Sequence, residues 1–308
     1  MNRNNNLYII KNISIYFDDN INNIIDKFVG FTPLCKSELV KAVDLWFSNN
    51  NKALLLFGHI SMWNVQNIKD MKLLFRNRYN FNEDISKWNV KNVKNMSGMF
   101  FGANIFNMNL NEWDVSNVTD MSFMFNSCIK FNVNISKWNV SKVTNMDSMF
   151  KGCYEFDQPL NNWDVSFVEN MDSMFYKAFK FNQPLDNWNV SKVKNMRCLF
   201  WWTHSFDQNI ENWDVGNVEN MEAMFSETNK FNQPLNNWNV SNVKNMFKMF
   251  THAIKFNQEL DKWDVSNVIC MEHIFFGANS FDKYDCITKW KMNRCQIPYE
   301  YISLMNCK

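Results

Sequence analysis

Apolar and polar positions along this chain repeat with a fixed period of 25 residues. Tryptophan marks the period most clearly, since it recurs at every 25th position from Trp63 to Trp263 without a slip. Two phenylalanine columns, from Phe75 to Phe275 and from Phe81 to Phe281, keep the same step, as does a methionine column from Met71 to Met271. A period of roughly 20–50 residues is typical of a solenoid, in which one unit stacks on copies of itself. The pattern therefore predicts a stacked repeat rather than a domain with one central core.

Two shorter periodicities follow each other inside one repeat. Trp163 and Val165 are apolar with polar neighbours, which predicts a short strand with one face inward. From Val168 to Ala178 the apolar residues recur at spacings of three and four, which is typical of a helix face. Ser166 lies between the two segments, where we expect it to cap the helix. We therefore predict an α/β solenoid similar to leucine-rich repeats, with short parallel strands plus one short helix per 25-residue rung.

The residues before the repeats predict a helical N-terminal cap. Apolar residues have helical spacing from Ile21 to Val29 and again from Leu39 to Phe47, the second with Ser37 as its expected N-cap. A third helix is expected from Lys52 to Phe57, before a glycine. Because the open apolar end of a terminal rung needs a cover, we assign residues 1–62 to an N-terminal capping region.

The period fails at the other end of the chain. Trp290 follows Trp263 by 27 residues instead of 25. We therefore predict nine repeats in residues 63–287 and a C-terminal cap in residues 288–308.

The repeat motif FNQPLNNWDVSxVxNMxxMF resembles the repeat of BspA-like bacterial surface proteins. That family is a leucine-rich-repeat relative also found in mycoplasma lipoproteins and in proteins of protists and their large DNA viruses. The resemblance covers about residues 63–287, and the lead-in at 42–46 and 58–65 is also similar. It implies a solenoid fold, while the activity of the family is mostly undefined. The bias towards Asn, Lys, Ile and Phe suggests an AT-rich genome, consistent with a viral member.

Charge and hydropathy narrow the classes of function. The chain has 32 basic and 31 acidic residues, a net charge of +1, whereas nucleic-acid binders usually carry a basic stripe. No apolar run approaches the ~18–20 residues of a membrane span. The apolar stretch at 7–17 is short, is broken by Lys11 and Asn12, and lacks the cleavage site of a secretory signal. We expect no nucleic-acid partner, no membrane span, and an intracellular location, in host cytoplasm, or a virion location.

No motif indicates catalysis, a cofactor or a metal site. The eight cysteines form no CxxC pair, the four histidines form no HExxH, and GxSxG, P-loop and dinucleotide motifs are missing. We therefore predict no catalytic, cofactor-binding or metal-ligating residues. Cys128 and Cys153 share one repeat position, which allows a disulfide. Ala or Thr fills that position in the other repeats after the first, which favours a small core residue.

A polar column lies between the Trp and Val columns and is expected to face solvent. From Asp114 to Asp264 it alternates Asp with Asn. The alternation keeps like charges about two strand spacings apart, and the alternative interpretation is a cation-binding carboxylate stripe.

One place departs from the polar surface of the repeats. Trp201 and Trp202 stand where other rungs place residues such as Lys151 and Gly152, and Tyr176 precedes Trp201 in its column. Clustered surface aromatics are enriched at binding hot spots, although the rings could instead fold against the lateral face. These residues favour a non-catalytic protein–protein interaction scaffold that displays a solenoid surface. The alternatives are a structural component of a virion or particle, and an intracellular adaptor that recruits a partner through residues 1–62.

Overall fold

The computed structural model describes residues 30–290, which form a solenoid of stacked 25-residue rungs. Parallel bridges join each rung to the next, from Asp70 with Asn95 through to Asn245 with Cys270. The predicted repeat solenoid is therefore observed. The helix predicted from Ile21 to Val29 and most of the C-terminal cap lie outside the described residues.

Within residues 30–290, helices lie before the first rung and after the last. They are α1 (Lys36–Ser48), α2 (Asn50–Phe57), a 3₁₀ turn (Ile60–Met62) and α3 (Tyr284–Ile287). The N-cap of α1 is Cys35 rather than the expected Ser37, and its side chain makes no capping bond. Asn49 separates α1 from α2, and its side chain accepts a hydrogen bond from the backbone N–H of Lys52 at 3.0 Å.

Helices α1 and α2 pack on the open end of the first rung. Trp46 of α1 meets Trp63 edge to face, with ring centroids 6.1 Å apart, and Phe47 meets Phe81 at 5.8 Å. Gly58 ends α2 with a φ of 69°, a left-handed conformation that suits glycine. The apolar face of α1 thereby covers rings that would otherwise be exposed at the end of the stack.

The predicted helix in each rung is wrong. Alternate backbone N–H groups from Met171 to Lys177 donate to carbonyls of the next rung, from Asn195 to Trp201, at 2.7–3.0 Å. An α-helix would need those N–H groups for carbonyls four residues earlier. Ser173 and Lys177 also have positive φ values of 54° and 61°, which interrupt a right-handed helix. The spacing of three and four arises because the chain turns twice, each time bringing an apolar side chain inward.

The predicted strand is wrong as well, although its in-and-out pattern holds. Trp163 and Val165 are buried and Asp164 between them is exposed, but this segment forms no bridge. The bridges instead join the column that contains Asn170, next to the methionines. The Asp164 carboxylate accepts the backbone N–H of Ser166 at 3.1 Å, so Ser166 belongs to a side-chain-closed turn and caps no helix.

Aromatic columns fill the core. In the repeat column from Trp88 to Trp263, each indole donates to a backbone carbonyl 28 residues earlier, as Trp163 does to Ile135 at 3.2 Å. Trp290 continues this column, since its ring stacks on Trp263 at 6.0 Å and 10°. The α3 segment absorbs the two additional residues that break the period in the sequence. The position expected to hold small core residues does so, because Cys128 is buried and free and donates to the carbonyl of Phe100.

Candidate functional site

The three aromatic residues singled out in the sequence lie together on the lateral face of the solenoid. Trp201 follows the core residue Phe200, and the turn at this point directs residues 201 and 202 outward. The Tyr176 and Trp201 rings are 4.9 Å apart at 31°, since the 25-residue step stacks them on adjacent rungs. Lys177 connects them to Trp202, because its Nζ lies 5.2 Å from the Tyr176 ring centre and 5.0 Å from that of Trp202.

A second aromatic column extends this cluster. Tyr154 and Phe179 have ring centroids 4.7 Å apart, and Phe179 stacks on His204 at 5.1 Å. His204 in turn lies 6.0 Å from Trp202. Sequence reasoning missed this column, although the 25-residue step would have revealed it. We define the aromatic surface as Tyr154, Tyr176, Phe179, Trp201, Trp202 and His204.

All six side chains of the aromatic surface are half-buried, unlike the core tryptophans. Their rings contact neighbouring rings of the cluster, and part of each side chain remains exposed to solvent. Trp201 is unusual among tryptophans here, because its Nε1 is shielded from solvent and has no hydrogen-bond partner. A core indole such as that of Trp188 donates to a carbonyl at 2.9 Å. The aromatic surface thus contains an unused donor, which is unfavourable in the free protein.

The backbone at Trp202 is strained. Its φ is 59°, and the same left-handed conformation occurs at this position in every rung from Asn77 to Gly277. Glycine fills the position in three rungs, at 102, 152 and 277. A left-handed conformation costs roughly 1–2 kcal/mol for a residue with a Cβ atom. The fold therefore does not favour tryptophan at this position.

Two lysines lie on the rings. Lys151 Nζ is 4.9 Å from the centre of the Tyr176 ring, and Lys177 Nζ lies on the same ring and on that of Trp202. Within residues 30–290, neither lysine has a carboxylate at ion-pair distance. Lys180, in contrast, pairs with Glu155, and Lys194 pairs with Glu169 at 3.0 Å.

A polar column runs beside the aromatic surface. Burial raises the pKa of Asp147, whose carboxylate accepts a hydrogen bond from Ser148 at 2.7 Å. Arg197 donates to Asp172 at 2.8 Å, and that bond raises the pKa of Arg197. Burial raises the pKa of Cys198 to about 12, so its thiol stays protonated at neutral pH. The bond to Asp172 therefore stabilises the charge of Arg197, burial disfavours the charge of Asp147, and the neighbouring Cys198 thiol is not an activated nucleophile.

Outside the aromatic surface, the described residues form an open depression, but they hold no candidate metal site and no membrane-spanning helix. Lys194, Glu219 and Lys244 line an open depression, where Glu219 and Lys244 pair at 2.6 Å. Among the described residues, no group of three or more His, Cys, Asp or Glu side chains is placed to hold a metal ion. In the same part of the chain, no helix combines the length and apolar character needed to cross a bilayer.

Comparisons with known proteins gave one family match and one similar solved structure. Residues 41–140, 109–201 and 180–290 match the model of a family described as "Mycoplasma protein of unknown function, DUF285". The leucine-rich repeat protein of T. pallidum, known from a crystal structure, is similar at 11% identity and a TM-score of 0.30. That similarity covers 61% of this chain and 85% of the other. No curated protein matches the sequence.

Proposed function

The chain belongs to the DUF285 family, and we propose that it is a non-catalytic scaffold that binds a protein partner through the aromatic surface. One observation carries this proposal: six ring side chains from three consecutive rungs meet where the repeat does not require them. Trp and Tyr are enriched among residues that dominate binding energy. A half-buried ring already has its rotamer restricted, so less entropy is lost when a partner covers it.

The backbone ladder supports this role. Each rung on this face is held by N–H groups of alternate residues, including Phe175 to Leu199 at 3.0 Å and Lys177 to Trp201 at 2.9 Å. These bonds fix the backbone beneath the rings. A surface that keeps its shape before binding favours affinity, because little reorganisation is needed.

The position of the aromatic surface within the array argues against the two alternative functions, a particle component and an adaptor. A particle component would use the same contact in every rung, whereas the aromatic surface occupies three rungs. A separate group of contacting surface rings lies near the end of the array, at Phe247, His252, His273 and Phe276. An adaptor would use residues 1–62 for recruitment, yet Trp46 and Phe47 in that region face the first rung. We therefore propose that residues 30–62 act as a cap. We also propose that the repeats are of the BspA-like type, a proposal that rests on their motif.

The double variant Trp201→Ser/Trp202→Ser tests the proposed function. Its control is Phe101→Ser, which removes a half-buried aromatic from the Trp201 column outside the cluster. Wild-type and variant proteins are immobilised, incubated with cell extract, and compared by quantitative mass spectrometry, and a purified partner is then titrated. We expect the double variant to lose a partner that Phe101→Ser retains. The loss should be about 2–4 kcal/mol, or roughly 30-fold to 1000-fold in affinity.

Melting temperatures of the same proteins complete the test. The double variant should lose less stability than Trp163→Ala, because its side chains are only half-buried. A loss as large as that of Trp163→Ala would show that the two tryptophans serve the fold. Unchanged capture of every wild-type partner would also refute the proposal.

A further inference from the structure

Two ammonium groups share one ring of the aromatic surface. Lys151 Nζ lies 4.9 Å and Lys177 Nζ 5.2 Å from the centre of the Tyr176 ring, so the two charges are no more than about 10 Å apart. That upper limit is about one Debye length at 0.1 M salt. Each lysine gains from the ring electrons, but the pair also concentrates positive charge on a surface that is otherwise apolar.

This positive charge is not balanced locally. Three other basic side chains of these rungs, Lys180, Lys194 and Arg197, pair with acids, as Arg197 does with Asp172 at 2.8 Å, whereas Lys192 lies on the Phe167 ring. Neither Lys151 nor Lys177 has such a partner within residues 30–290. Asp147 is close enough for Lys151 to lower its pKa, but burial is the larger effect and raises that pKa. The ammonium groups of Lys151 and Lys177 can therefore pair with an anionic group of a ligand.

A short acidic peptide segment fits these features better than a polyanion does. Its carboxylates would pair with the two lysines, and its apolar side chains would cover the Tyr176, Trp201 and Trp202 rings. A nucleic acid would carry its phosphates past the two lysines to rungs where Lys180 and Arg197 are already paired with acids, and the whole chain has a net charge of only +1.

We propose that the aromatic surface recognises an acidic, aromatic-containing segment of a partner protein, with Lys151 and Lys177 as its carboxylate contacts. This inference rests on the proposed binding function of the same surface. It adds the charge of the partner and two residues that sequence reasoning did not single out.

The test uses fluorescein-labelled peptides and fluorescence anisotropy with the full chain. One short peptide alternates Glu with Phe, and a second replaces each Glu with Gln. We expect the Glu peptide to bind at least about tenfold more tightly than the Gln peptide, a difference of about 1.4 kcal/mol, because Gln keeps the shape of Glu and loses the charge that attracts the lysines. The difference should shrink as salt concentration rises.

Lysine variants test whether Lys151 and Lys177 cause the difference in affinity between the two peptides. Lys151→Gln and Lys177→Gln should each weaken the Glu peptide about tenfold and leave the Gln peptide unchanged. Lys230→Gln is the matched control, since Lys230 is an exposed lysine of a rung beyond the cluster, and it should change neither. Equal binding of both peptides, or full binding by both cluster variants, would overturn the inference. Tighter binding of a single-stranded oligonucleotide than of the Glu peptide would overturn it too.

The two proposals fail in different ways. If Trp201→Ser/Trp202→Ser loses a partner while Lys151→Gln and Lys177→Gln retain it, the acidic segment is refuted and the binding surface stands. If the Trp double variant still captures every partner, the proposed function is refuted.

Discussion

Replacement of Trp163 with alanine tests how the rungs are held together. Trp163 is 2% exposed, its Nε1 donates to the Ile135 carbonyl at 3.2 Å, and its ring stacks on Trp138 at 6.4 Å. Burying an aromatic side chain removes about 150–250 Å² from water, which contributes roughly 4–6 kcal/mol at about 25 cal/mol per Å². Large aromatic-to-alanine changes in cores cost about 3–5 kcal/mol. The Ile135 carbonyl, left without its donor, adds about 1 kcal/mol or more. We expect a total loss of about 4–6 kcal/mol.

Two matched variants separate the contributions. Trp163→Phe keeps most of the buried ring and removes the donor, so we expect a loss of about 1–3 kcal/mol. Asn162→Ala changes the preceding residue, which is exposed, and should cost less than about 1 kcal/mol. The three variants therefore compare the losses of stability that follow from removing a buried ring, an indole hydrogen bond and an exposed side chain at neighbouring positions of one rung.

Urea unfolding followed by circular dichroism and by tryptophan fluorescence measures these losses. Solenoids can unfold in parts, so the two probes must give the same midpoint before the free energies are compared. Equal losses for Trp163→Ala and Asn162→Ala would refute the assignment of inward and outward positions. A loss for Trp163→Phe as large as that for Trp163→Ala would show that the hydrogen bond, and not burial, dominates the column.

Two further predictions concern the cap and a buried carboxyl. Deletion of residues 1–62 exposes the Trp63 rung, so the truncated protein should aggregate on size-exclusion chromatography; a stable monomer would show that this region is an independent domain. Asp147→Asn should raise the urea midpoint at pH 7. A raised pKa in the folded state means that native stability falls as pH rises above the unfolded value, near 3.8, through the folded pKa. The gain from Asn should therefore vanish in melts below that pH, and an equal gain at all pH values would contradict the reasoning.

Part of the aromatic surface could be predicted from the sequence, because two of its residues are unusual for their positions in the repeat. Trp201 and Trp202 stand where glycine or polar residues are usual, which is visible without coordinates. Tyr154, Phe179 and His204 also share one column, but their neighbours across columns depend on how the turn between residues 176 and 179 is folded. The positions of the Lys151 and Lys177 ammonium groups over one ring could not be predicted, because flexible side chains are placed by contacts between rungs.

The sequence by itself determined the stacking, the 25-residue step and the inward columns. A strict period leaves one arrangement in which every Trp, Met and Phe column is buried at once, and burial is the dominant favourable term in folding. The failure at Trp290 shows the limit of this reasoning, since the ring rejoins the column after α3 takes up two residues.

Only the tertiary structure decided the backbone conformation within a rung. Apolar spacing of three and four reports which side chains face the core, and a helix and a double turn satisfy it equally. The choice depends on where each N–H finds a carbonyl. In the stack, Met171 and Phe175 donate to Asn195 and Leu199 of the next rung, and this is compatible with the positive φ of Ser173. Those acceptors exist only once a neighbouring copy is in place, so the preference for turns over helix is a property of the array and not of one repeat.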